Sequence, residues 1–129
     1  MMTTIPALRE RIWPFDVPPP EERTYHDARA IEFLEAARAQ GYKAYMYGPG
    51  NFGAQSEQAG RGGVIFVRGR HRWEVALGTG EETTLSVLTG EFDAAARAVL
   101  DWLAGAQTEA IKVRLGSQIV ESQTRAATA

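Results

Sequence analysis

The chain has 129 residues, enough for one hydrophobic core and too few for two of ordinary size. Apolar residues make up 44% and charged residues 23%, which is ordinary globular usage, and a formal charge of −2 argues against wholesale binding of nucleic acid or anionic lipid. There is no cysteine, which excludes a disulfide framework, a thiolate nucleophile and a cysteine-type zinc site.

Residues 1–23 read as an extended arm, because Pro14 and the run Pro18-Pro19-Pro20 fix φ and remove backbone donors. Trp13 and Phe15 are its apolar anchors. Nothing at this end pairs a basic segment with an apolar one, and no later stretch approaches the roughly 20 apolar residues of a membrane span. A cytoplasmic protein that does not enter membranes is expected.

Thr24 reads as an N-cap with Asp27 three residues on, opening a helix over about Tyr25 to Gln40. Its apolar stripe is Ala30, Ile31, Phe33, Leu34 and Ala37, and Gly41 supplies the C-terminal cap. Tyr42 to Tyr47 alternates as a first strand, with Ala44 and Met46 on one face and Tyr45 and Tyr47 on the other. The glycine-rich stretch from Gly48 to Gly63 reads as a long loop. Three further strands follow as a meander, centred on Val64 to Val67, Trp73 to Leu77 and Thr83 to Leu88. Phe92, Ala95, Ala96, Val99 and Leu103 then recur at helical spacing, and a shorter helix capped by Thr108 runs to Gly116. Residues 117–129 read as a polar tail.

The expected architecture is therefore α+β: a four-stranded, mainly antiparallel meander with N-terminal and C-terminal helices packed on one face, in a single domain over residues 24–116. On that sheet Val64, Phe66, Trp73, Val75 and Leu77 should face the helices, leaving Tyr45, Tyr47, Ile65, Val67, Arg72, Glu74 and Ser86 on the outward face, which either the proline-rich arm or another protein would cover.

Few constellations point to chemistry. Gly48-Pro49-Gly50-Asn51-Phe52-Gly53 has the spacing of a dinucleotide loop, but a meander follows it where the parallel crossover and phosphate-binding helix should be. His26 and His71 are the only histidines and lie far apart in sequence, with no metal-binding spacing and no nucleophile elbow to serve. Glu81-Glu82 sit in a turn, while Glu91 and Asp93 suit a helix start. No catalytic residue, metal ligand or cofactor is assigned. Arg68, Arg70, His71 and Arg72, with Arg61 nearby, concentrate positive charge at one hairpin tip, which reads first as a solvated turn that discourages edge-to-edge sheet association. As a binding site it could hold a phosphate or an acidic partner through bidentate arginine contacts. With only Trp73 close by for stacking, it suits an acidic protein better than nucleic acid.

The helix ending in Ala36-Ala37-Arg38-Ala39-Gln40-Gly41-Tyr42, the meander with Trp73 in a hairpin strand, and the closing helix Phe92-Asp93-Ala94-Ala95-Ala96-Arg97 together resemble small bacterial immunity proteins that accompany polymorphic toxins, particularly in actinobacteria. The resemblance covers about Thr24 to Gly105. It implies a cytosolic, non-catalytic inhibitor that binds a cognate toxin domain.

The reading that follows is a protein-binding module, with Tyr45, Tyr47, Arg70, Arg72 and Glu74 as its partner-binding residues and the segment 48–63 as an adaptable rim. Two alternatives stand beside it. One is a small-molecule binder or enzyme with a pocket between segment 48–63 and the sheet, lined by Tyr45, Tyr47 and His71. The other is a homodimeric assembly or chaperone protein that pairs through the outward face.

Overall fold

A capping box opens the first helix: Thr24 Oγ1 accepts from the Asp27 N–H at 3.1 Å, and Asp27 Oδ2 accepts from the Thr24 N–H at 3.0 Å. This helix, α1 (Tyr25–Ala39), buries Ala30, Ile31, Phe33, Leu34 and Ala37, the five residues of the expected stripe. It closes in a Schellman motif, with Gly41 at φ +89°, the Gly41 N–H on the Arg38 carbonyl and the Tyr42 N–H on the Ala37 carbonyl. In the computed structural model the described backbone covers residues 24–48, 51–80 and 82–124, and side chains are described throughout except at 47, 48, 118 and 120–124. The proline-rich arm with Trp13 and Phe15, the pair Pro49-Gly50, Glu81 and residues 125–129 lie outside this description.

After α1 come β1 (Lys43–Gly48), β2 (Asn51–Ser56), β3 (Arg61–Gly69), β4 (Arg72–Thr79) and β5 (Glu82–Thr89). They are followed by α2 (Phe92–Leu103), α3 (Thr108–Leu115), a 3₁₀ turn (Gly116–Gln118) and β6 (Ile119–Thr124). The strands form one antiparallel sheet in the order β1-β2-β3-β4-β5-β6. The α+β class and the antiparallel meander agree with the sequence; the strand number does not.

Two strands lie where the sequence predicts none. The supposed loop 48–63 contains β2, where Phe52 and Ala54 are buried between β1 and β3 and Gly53, Gly62 and Gly63 are strand positions. The supposed polar tail contains β6, which completes the ladder of β5. Its sequence, Ile119-Val120-Glu121-Ser122-Gln123-Thr124, is short and polar, as suits an edge strand. At α3, Gln107 rather than Thr108 occupies the N-cap, and Thr108 is the first helical residue.

One face of the sheet holds Met46, Phe52, Ile65, Val75 and Val87 in register, with Ala44, Ala54, Gly63, Leu77 and Leu85 beside them. This face carries the core. Phe33 of α1 meets Phe52 at 5.5 Å between ring centroids, and α2 lies so close over Gly63 that a Cβ there would sit 2.9 Å from Val99 Cγ1. Trp102 of α2 donates its indole N–H to the Gly78 carbonyl at 3.1 Å.

The outward face differs from the expected one at β3. Val64 and Phe66 point away from the core, while Ile65 and Val67 point into it, opposite Val75 and Trp73. The cause is a β-bulge at Arg68: Val67 pairs with Trp73, yet Gly69 pairs with Arg72. One extra residue between these pairs inverts the side-chain parity of everything N-terminal to it on the strand. Arg70 and His71 form the two-residue turn and neither has a positive φ, so the turn is not one of the mirror-image types that match strand twist. The bulge supplies the local twist that such a turn lacks.

Candidate functional site

Three elements meet at one end of the sheet. The β3–β4 hairpin brings Arg68, Arg70, His71 and Arg72 to an exposed tip. The N-terminus of α1 approaches it from the core side, because Tyr25 and His26 pack on Trp73 at centroid distances of 6.4 and 5.3 Å. The N-terminus of α2 arrives through Phe92, whose ring stands edge-on to Trp73 at 5.3 Å. Two helix N-termini and a cationic turn thus share one end of the molecule, and their partial and full positive charges add. Asp27, Glu91 and Asp93 lie at the same helix starts.

The tip arginines have different employments. Arg70 turns toward the helices, with its guanidinium carbon 4.2 Å from the centroid of the Tyr25 ring. Arg68 lies on the outward side, where it bonds Glu74 at 2.6 Å and stands 5.1 Å from the Phe66 ring centroid. Arg72 is exposed at the start of β4. Arg61, grouped with the tip in the sequence, belongs to the opposite end of β3. There it lies 3.8 Å from the Trp102 ring centroid and donates to the Trp102 and Ala106 carbonyls, closing the C-terminus of α2.

From the tip an outward strip continues across the sheet along the row Asn51, Phe66, Glu74 and Leu88. Val64, Phe66 and Leu88 on this face are half-buried and do not join the core cluster.

The five candidate residues do not form one patch. Arg72 and Glu74 share the outward side of β4 with Arg68. Arg70 flanks them on the helix side of the tip. Tyr45 is on β1, three strands and about 14 Å from Glu74, and its side chain has no exposure. A fully buried ring cannot act as a contact residue without first being uncovered, so Tyr45 leaves the set. Tyr47 sits at a bulge in β1, between the pairs Met46–Phe52 and Gly48–Asn51, and its side chain is outside the described residues. Sequence reasoning missed Phe66, which the bulge turns outward, and the contacts of His26, Arg29 and Trp73.

A cavity of about 390 Å³ opens at the other end of the sheet, lined by residues of β2, β3, β4 and β5 that include Gln55, Arg61, Gly62, Val64, Ala76 and Thr83. The C-terminal part of segment 48–63 does border it, but Tyr45 and His71 do not line it. Of its carboxylates, Glu57 bonds Lys43 at 2.6 Å, and Glu82 stands in the β4–β5 turn region. Among the described residues no group of three or more histidines or carboxylates is placed to hold a metal ion. Nor is any described helix long and apolar enough to cross a membrane. Comparison with known proteins finds no matching family model, no matching curated protein and no matching solved structure.

Proposed function

We propose that the protein is a non-catalytic protein-binding module whose contact surface runs from the β3–β4 tip onto the outward face of the sheet. The observation that carries this reading is the continuity of the exposed tip cations with the outward strip of Phe66, Glu74 and Leu88. A rim of arginines around half-buried apolar side chains has the composition of a binding hot spot. The charge at the tip selects an acidic surface as the partner, and arginine adds bidentate geometry to that attraction. Inhibition of a cognate toxin domain, as the resemblance to immunity proteins implies, is the most concrete form of this function. The contact residues are Phe66, Arg68, Arg70, Arg72 and Glu74.

The test begins with capture of partners from the native host's lysate and continues with the purified partner. Arg72→Ala should weaken the complex by more than about 1 kcal/mol, whereas Val113→Ala, at an exposed site on α3, should leave it unchanged. Affinity should fall as salt rises. Equal binding by wild type and Arg72→Ala would remove the tip from the interface.

The 390 Å³ cavity favours a second reading, a small-molecule site at the opposite end of the sheet. Thermal-shift screening separates the two readings: a metabolite that raises the melting temperature, with the gain abolished by Gly62→Leu, supports the cavity.

A further inference from the structure

Trp73 is the largest fully buried side chain among the described residues, yet its indole N–H meets no acceptor. The Nε2 of His26 and the Nε of Arg29 are buried without a partner as well. These three nitrogens belong to one contact cluster. The His26 and Trp73 ring centroids are 5.3 Å apart, and the Arg29 guanidinium carbon lies 5.3 Å from the centroid of the Tyr25 ring and 5.9 Å from that of Phe92. Both of those rings pack on Trp73.

Buried polar groups are nearly always satisfied, and several elsewhere in this fold show how. Trp102 gives its indole N–H to Gly78, Arg61 bonds two carbonyls, and the buried Thr89 hydroxyl donates to the Glu91 carbonyl at 3.0 Å. Three orphaned nitrogens in one place therefore mark a site for something beyond these residues. Their chemistry states what it is. An indole N–H and a guanidinium Nε–H can only donate, and an imidazole Nε2 donates in one tautomer or when protonated. The matching ligand is an acceptor. The full charge on Arg29 and the N-terminus of α1 make an anion the preferred acceptor. Asp27 is engaged in the capping box, and Glu32 takes the Arg29 Nη2, which leaves the Nε–H free.

We infer that Trp73, His26 and Arg29 form a carboxylate-recognition niche that receives an Asp or Glu side chain from the partner's acidic surface. His26 and Arg29 are half-buried, but the three nitrogens themselves are sealed from solvent beneath Tyr25 and Phe92, with Arg70 exposed over Tyr25 at the rim. The carboxylate therefore reaches them only by displacing the Arg70–Tyr25 contact. The inference rests on the proposed binding function and adds the anchor that a charged tip alone lacks. A desolvated pocket for one carboxylate confers specificity that loose surface arginines do not.

The experiment is titration of the full-length, ¹⁵N-labelled protein with an acetylated, amidated triglutamate peptide, observed at the assigned Trp73 indole and Arg29 Nε resonances. The triglutamine peptide is the control. Saturable shifts of both resonances with triglutamate alone, weakened about tenfold by Arg29→Gln, support the niche. Because Arg29→Gln removes a half-buried cation, its backbone spectrum must first match wild type, and His26→Gln serves as a second variant.

Equal response to both peptides, or none, overturns the proposal. It is also overturned if the two resonances move when Glu21 and Glu22 are changed to Gln in the free protein, since the acceptor is then the chain's own. Failure of the niche with partner binding still dependent on Arg72 refutes this inference alone. Failure to find any tip-dependent partner refutes the binding function and leaves the peptide result standing separately.

Discussion

Ile65 and Phe66 are neighbours in the chain and opposites in the fold. Ile65 has no exposure and sits between Phe52 and Val75, whereas Phe66 lies outward beneath the Arg68 guanidinium. Ile65→Ala should therefore cost about 3 kcal/mol, a typical large-to-small core penalty, and Phe66→Ala less than about 1 kcal/mol. Urea unfolding of the two variants checks the face assignment, and the reverse order would place the bulge elsewhere. The alternation of β3 was legible in the sequence, but its sense was not. A signal did exist: Arg70-His71 at the turn corners contains no Gly, Asn or Asp to accept a positive φ, so a mirror-image turn was disfavoured and a bulge became the natural solution. Arg61 is another residue whose role depends on the fold. Its bonds to the Trp102 and Ala106 carbonyls and its contact with the Trp102 ring should make Arg61→Ala cost about 2 kcal/mol in the same assay.

At the scale of elements, glycines in the sheet divide by what stands over them. A Cβ at Gly63 would meet Val99 Cγ1 at 2.9 Å and Leu77 Cδ2 at 3.0 Å, and one at Gly78 would meet the Glu82 carbonyl oxygen at 2.0 Å. At Gly62 the nearest atoms would be 3.6 and 3.7 Å away. Gly62→Ala should fold with nearly unchanged stability. Gly63→Ala should lose about 1–3 kcal/mol through overpacking against α2, and Gly78→Ala should lose more, because backbone must move. Thermal melts of the three variants provide the check, and a tolerant Gly63 would mean that α2 packs less closely than the structure has it. The helices were the legible elements: α1 showed its cap, stripe and terminating glycine locally, and α2 its apolar spacing. β2 and β6 were hidden because their strand character is made by neighbours. Asn51-Phe52-Gly53-Ala54-Gln55-Ser56 has almost no intrinsic strand preference and is held by β1 and β3. β6 is likewise set by its pairing with β5.

At the scale of the molecule, the two faces of the meander differ. The inner face is committed to the core with α1 and α2, and the outer face carries the proposed contact surface at its β3–β4 end, while at its β1 edge Tyr45 is fully buried. Both signs are present at each end: Arg68, Arg70 and Arg72 gather at the hairpin tip with Asp27, Glu91 and Asp93 at the adjoining helix starts, and Glu57 and Glu82 border the cavity beside Arg61, so the positive charge is local to the exposed tip. The sequence disclosed the basic tip but not its companions, since His26, Arg29 and Trp73 lie up to 47 positions apart (73 − 26) and are brought together only when α1 packs against the hairpin. The most direct measurement of the central claim is hydroxyl-radical footprinting of the protein free and in complex with its purified partner. The account expects protection of Phe66 and of the tip around Arg70 to Arg72, with Val113 on α3 reacting equally in both states. Protection at Val113 with Phe66 and the tip unchanged would contradict it.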